Sequence, residues 1–249
     1  MPRLAVGAAL LTAWLVAFPA TGSRAELTLD LESGIVGSGY NDVRIPGDTG
    51  TLFSLSEDLS TPSRAFFRAR LEYAFGERHT LSALYAPLTL EAEGTLESPV
   101  VFEGVEFPAG TDVSGTYTFN SYRLTYRYTL TEGNGFEAGI GVTAKIRDAL
   151  VRVEGGGLSS EKTDLGFVPL LNFRVSWSLS ERIGLLLEGD ALAGPQGRAE
   201  DVIGAVLFDV TDRVRLRIGY RIVEGGADVE EVYNFTLLNY ASAGVVVSF

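Results

Sequence analysis

The residues of this chain that could do chemistry are charged side chains recurring at every second position. Arg68, Arg70 and Glu72 share one face of SRAFFRARLEYAFG; Glu137, Lys145 and Arg147 share one face of FEAGIGVTAKIR; Arg215, Arg217 and Arg221 share one face of VRLRIGYRI. A period of two is the period of a strand, so each group points to a single side of a sheet. With the same register, Arg123, Arg127 and Arg174 and the acids Asp30, Glu32, Glu188, Asp190 and Asp209 join that side, giving ten bases against seven acids. Arginine's planar fork donates to a carboxylate bidentately, so the pattern predicts a salt-bridge network on an enclosed face. A narrow charged passage for small solutes is the alternative, and the two agree if the network can open.

Catalysis has less to draw on. There is one histidine, His79 in the turn GERHTL, and no cysteine. A nucleophilic serine needs a base within hydrogen-bond reach, and His79 sits in a turn rather than on the charged face. Paired carboxylates such as Glu188 and Asp190 would have to carry any reaction. The reading is no enzyme, with no catalytic residue assigned.

A second group of acids lies between the strands. Segments 39–63, 91–114, 148–164, 194–201 and 224–236 hold 20 acids and 4 bases. Such segments are solvated loops that resist aggregation. A sharper reading is loose Ca2+ or Mg2+ binding at Glu97, Glu103, Glu106 and Asp112, since these ions take hard oxygen ligands. No other cofactor is expected. The acidic balance, −12 overall, excludes nucleic acid as a partner, because that needs a basic footprint.

Ten strands must position these residues, over roughly 26–38, 64–76, 79–92, 115–130, 136–148, 164–179, 183–193, 202–210, 214–223 and 237–249. Opposite the charges their faces are apolar: Val214, Leu216, Ile218, Tyr220 and Ile222 against the three arginines of VRLRIGYRI. Alternation alone does not say which face meets water. The connections do: tight ones near 76–78, 131–135, 180–182 and 211–213 alternate with long ones near 39–63, 93–114, 149–163 and 224–236. Short turns at one end and long loops at the other are the mark of a membrane barrel. Tyr73, Phe75, Tyr128, Phe136, Trp177, Phe208 and Phe249 gather on the apolar faces beside the short turns, as an interfacial aromatic girdle would. Gly139, Gly141, Ser176, Ser178, Gly219 and Gly244 on the polar faces suit a crowded lumen.

The two ends of the chain agree. Arg3, the apolar run 4–20 and Ser23-Arg24-Ala25 read as a secretory signal peptide, residues 1–25, with cleavage near Ala25. The last residues, LLNYASAGVVVSF, alternate and stop on Phe249. This ending, with Phe249, Val247 and Val245 on one face, resembles the last strand of bacterial outer-membrane β-barrel proteins, where it is the signal read by the insertion machinery. The resemblance is to an architecture and covers residues 26–249. It implies an all-β fold, a transmembrane antiparallel up-and-down β-barrel of about ten strands, with eight or twelve as alternatives. It implies an integral place in the Gram-negative outer membrane, with that membrane's lipid, lipopolysaccharide and the insertion machinery as partners. The function expected is a porin-like cell-envelope barrel with a charged, plugged lumen, serving envelope structure or limited solute passage. The alternatives are an outer-surface binding or adhesion module using the acidic loops, and a barrel enzyme acting on lipid or peptide.

Overall fold

The computed structural model describes residues 25–249, so the signal peptide expected over residues 1–25 lies almost wholly outside the described residues. The chain order is β1 (Glu26–Arg44), β2 (Phe53–Ser54), β3 (Arg64–Phe75), β4 (His79–Ala86), β5 (Thr89–Thr95), β6 (Val100–Phe102), β7 (Val105–Phe107), β8 (Asp112–Gly133), β9 (Phe136–Gly155), β10 (Leu158–Ser178), β11 (Ile183–Gly194), β12 (Gly197–Asp209), β13 (Val214–Asp228) and β14 (Tyr233–Ser248). All the long pairings are antiparallel between neighbours, and β14 returns to pair with β1, closing a barrel of ten staves.

β4 and β5 are one stave. Both follow β8 in the same register, Ala86 opposite Ser121 and Thr89 opposite Thr118, and the break falls at Pro87, which has no amide hydrogen to give a ladder. The seam pairs Leu29 with Val247 and Leu31 with Val245, and the Phe249 amide donates to the Leu27 carbonyl at 2.9 Å. At the short-turn end, β8 and β9 are joined by Asn134-Gly135. Both residues have positive φ, 54° and 76°, as the tightest hairpin turn requires.

Polarity is inverted relative to a protein in water. On β13, Ile218 is 61% exposed and its neighbour Arg217 is 4% exposed; on β9, Val142 is 58% exposed beside the buried Thr143. A continuous exposed apolar face around a buried charged one makes sense only against lipid.

The interior has two storeys. Nearer the short turns it is charged. Nearer the long connections it is apolar, a cluster that includes Val36, Phe53, Phe66, Phe102, Phe107 and Tyr240. Phe66 meets Tyr240 edge-on at 4.8 Å, and Phe53 meets Phe102 edge-on at 6.2 Å. Here the structure corrects the loop assignments. Segments read as long loops are largely strand: β9 and β10 run on as a hairpin to Gly155 and Leu158, β13 reaches Asp228, and β14 begins at Tyr233. The acidic segment 96–111 holds the β6–β7 hairpin, which folds inward. In VVFEGVEF the apolar positions alternate with acids, so Val100, Phe102 and Phe107 turn into the barrel while the Glu103-Gly104 turn stays outside. The Glu103 amide donates to the Ile45 carbonyl (2.8 Å) and the Thr51 amide to the Val101 carbonyl (2.9 Å), tying the hairpin to the chain after β1.

Because the outer face meets lipid, Ile218→Lys should destabilise the barrel by about 2–4 kcal/mol if the site lies near the midplane, while Ile218→Val should change little. Urea unfolding in lipid vesicles measures both. Equal stability of the two variants would mean that this face is solvated.

Candidate functional site

The charged storey is an array of two ion-pair groups, one above the other. The Asp201 carboxylate receives Arg68 at 2.8 Å, Arg123 at 2.6 Å and also Arg221. Arg221 and Arg217 both reach Glu32, at 2.7 and 3.0 Å, and Arg217 forks onto Asp30 at 2.7 and 3.0 Å. Arg123 also binds Asp190 at 2.7 Å, which accepts from the Thr143 hydroxyl (2.6 Å) and the Asn172 amide (2.9 Å). Ser242 donates to Glu32 at 2.8 Å. Lower down, Glu188 takes Arg70 and Arg174, the latter at 2.6 Å, and Arg127 at 3.7 Å; Glu72 lies 3.4 Å from Arg70 and 3.5 Å from Arg127. These side chains come from staves all round the barrel, so the array spans the lumen.

Buried ion pairs offset their own desolvation only when the geometry is good and the remaining lone pairs are met. The carboxylates here meet that condition by accepting from several donors each. Some arginine nitrogens do not, since the Nε atoms of Arg68, Arg127 and Arg217 are buried without a hydrogen-bond partner. The array holds seven arginines against six carboxylates, so it carries one positive charge in excess.

Five residues expected in the network stand apart from it. Arg215 pairs with Asp209 at the short-turn mouth, and Glu137 lies at that same mouth without an ion pair. Arg147 pairs with Asp164 on β10. Lys145 is 4% exposed and makes neither a hydrogen bond nor an ion pair; its Nζ sits 4.6 Å from the centre of the Phe119 ring. Asp201, a hub of the array, was missed, because β12 was expected to begin one residue later and Asp201 fell with the loop acids. The available signal was the alternation itself: Asp201 continues the inward set Ile203, Ala205 and Leu207.

The acids proposed to hold a divalent cation do not come together. Glu103 faces Lys162 at 2.8 Å, Asp112 accepts from Thr95, and among the described residues no three acidic, histidine or cysteine side chains are grouped to hold a metal ion. The inward turn of the hairpin's apolar residues spreads its acids over the outside. His79 is not a free turn residue either. It opens β4, accepts or donates at 2.8 Å to the Tyr126 hydroxyl, and lies against Phe75 and Tyr128 in the aromatic belt.

Beside the array, towards the long hairpins, lies a cavity of about 150 Å³, well above the size that holds a single water. Lys145 is at its wall with Tyr117, Phe119, Val168, Val223 and Leu238. At its rim the Arg198 guanidinium clasps Glu224 at 2.7 and 2.8 Å, and the Tyr40 hydroxyl donates to the same carboxylate. These three lie beyond Ile222, the last apolar residue on the outer face of β13. Partial burial opposes ionisation of Glu224, yet the bonds from Arg198 and Tyr40 hold its carboxyl below the usual range; partial burial and the bond to Glu224 raise the Tyr40 hydroxyl.

No protein-family model matches the chain, and no curated protein sequence does. Among solved structures it is similar to the outer membrane protease OmpT of Escherichia coli, at 11% identity over 90% of this chain and 97% of that one, with a TM-score of 0.52. It is also similar to the attachment invasion locus protein Ail of Yersinia pestis (9% identity, 90% and 99% covered, TM-score 0.40) and to Neisserial surface protein A (16% identity, 92% and 100% covered, TM-score 0.34). At such identities the likeness is one of fold, and the fold is that of bacterial outer-membrane β-barrels.

Proposed function

We propose that this chain is an integral outer-membrane barrel that stands closed at rest and serves the envelope as a structural barrel rather than as a pore or an enzyme. The observation that carries the reading is the ion-pair array across the lumen with an apolar cap above it. An ion crossing would have to part buried charges and then pass a layer of aromatic and aliphatic side chains, neither of which favours an ion in transit. Against catalysis stands the place of His79, in the aromatic belt at the opposite end from the cavity.

In this reading the short turns face the periplasm, the long hairpins face outside, and the apolar belt contacts membrane lipid, with lipopolysaccharide around the outer half. The insertion machinery reads Phe249, Val247 and Val245. Passage of small solutes would require the array to open.

The wild-type barrel in planar bilayers should therefore give no sustained conductance. Arg217→Ser strands Asp30 and takes from Glu32 one of its arginines. It should cost about 3–5 kcal/mol of stability and raise conductance. A wild-type protein that conducts steadily, or an Arg217→Ser variant unchanged in both respects, would sink the closed-lumen reading.

Orientation has its own test. Single cysteines replacing Glu106 or Asp228 should label from outside intact cells, and one replacing Glu181 should not; the reverse pattern turns the barrel over. Deleting Phe249 should lower the yield of heat-modifiable, membrane-inserted protein more than it lowers synthesis. Undiminished insertion would remove Phe249 from the signal.

A further inference from the structure

The wall of the barrel has a parted joint between β10 and β11. β10 pairs with β9 along its whole length, from Trp177 opposite Phe136 to Leu158 opposite Gly155. With β11 it pairs only from Ser178 opposite Gly184 to Leu171 opposite Ala191. The β11–β12 hairpin turns back soon after, at Gly194 and Gly197, so residues 158–170 have no partner strand on that side. Pro169 sits two residues past the last pair, and proline within a sheet is confined to edges. At membrane depth, unpaired backbone is tolerated only where it is covered or lines a cavity. A cavity is what lies there. Its wall takes Val168 from β10, Ala199 from β12 and Val223 from β13, and no residue from β11. On the outside of this stretch, next to the last pair, Leu165 and Phe167 are 74% and 65% exposed, so the joint opens beside lipid there.

The cavity has a charge to satisfy. Lys145 is nine-tenths or more buried, lines the cavity and has no anion. An ammonium taken out of water without a counter-charge is costly, and a ring face offsets only part of that. Every other cation of the wall is already matched: Arg147 by Asp164, Lys162 by Glu103, Arg198 by Glu224. The site therefore has room for one negative charge. A second would be unmatched, and Glu231 at the wall, which has no ion pair, disfavours it further.

We propose that this cavity binds a free single-chain carboxylate, an amphiphile of the fatty-acid type. Its head pairs with Lys145, and its chain lies along Val168, Val223 and Leu238 towards the joint between β10 and β11. The apolar walls take the chain, the lone ammonium takes the head, and the parted joint admits the molecule sideways from the membrane. A phosphate-headed lipid fits less well, because its further charge finds no partner.

The probe is dodecanoate carrying 13C at the carboxyl carbon, added to the full barrel in phosphatidylcholine nanodiscs and followed by NMR. A bound carboxyl signal distinct from the bilayer-partitioned one is expected. Lys145→Met should weaken it about ten- to a hundredfold, the worth of a hydrogen bond to a charged group. Lys145→Arg should keep it, and Arg152→Met, outside the cavity, should leave it unchanged. Dodecanol, with the same chain and no charge, should fail to displace the probe. That arm uses wild-type protein alone, so it decides even if a Lys145 variant does not fold. Displacement by dodecanol as effective as by unlabelled dodecanoate, or undiminished binding to a heat-modifiable Lys145→Met barrel, would overturn the proposal. Tighter binding of a single-chain phosphate lipid such as lysophosphatidate would overturn the choice of a carboxylate. Conductance of the same preparation reports separately on the closed lumen, so a conducting barrel that still binds dodecanoate through Lys145 leaves this inference standing.

Discussion

A strand in hydrocarbon has no water to satisfy its amide groups, so each of its edges must meet another strand and the last strand must find the first. Here that falls to the seam between β1 and β14, which runs from Thr28 opposite Ser248 to Arg44 opposite Tyr233 with a single irregularity near Ser38 and Tyr40. Once the seam is made, the two faces of every stave are committed. One set of alternate residues meets lipid, and the other is enclosed with whatever polarity it carries.

Enclosure then sets the rules for the charged storey. Side chains such as Arg217 and Glu32, 4% exposed each, have only one another to bond with, and arginine suits this because one guanidinium can bridge two carboxylates. Arg123 bridges Asp190 and Asp201, and Arg221 bridges Asp201 and Glu32. Such sharing joins staves that are distant in sequence, so the array fixes the cross-section of the barrel as well as filling it. The apolar storey above follows different physics. There the barrel has risen clear of its charged band, and Ile45, Phe53, Phe102 and Phe107 close the space as a core of ordinary kind.

The joint between β10 and β11 is a place where the closure rule is relaxed. A long β9–β10 hairpin beside a short β11–β12 hairpin leaves an edge that the ladder cannot cover, and the unpaired Lys145 stands behind it. An unsatisfied edge and an unsatisfied charge in one place mark a site for a ligand rather than a flaw in packing, because each is costly if left empty.

Alternation carried most of the architecture in the sequence itself. Period-two patterning located all ten staves and assigned Arg68, Arg70, Arg123, Arg127 and Arg217 to one side, since the face of a strand residue is a local property of the backbone. The alternation of tight and long connections put the short turns at one end, as the Asn134-Gly135 turn and its fellows do. Three things were decided only by the tertiary structure. Which carboxylate meets which arginine depends on the register and tilt of the closed barrel, so Asp201 became a hub and Lys145 was left alone. Whether an acidic segment stays in water depends on the shape of the space beneath it, so residues 96–111 folded inward on Phe102 and Phe107 and their acids never converged on an ion. And the parted joint arises from the unequal lengths of two neighbouring hairpins. Pro169 hints at it in the sequence, but an edge exists only relative to the strand that fails to reach it.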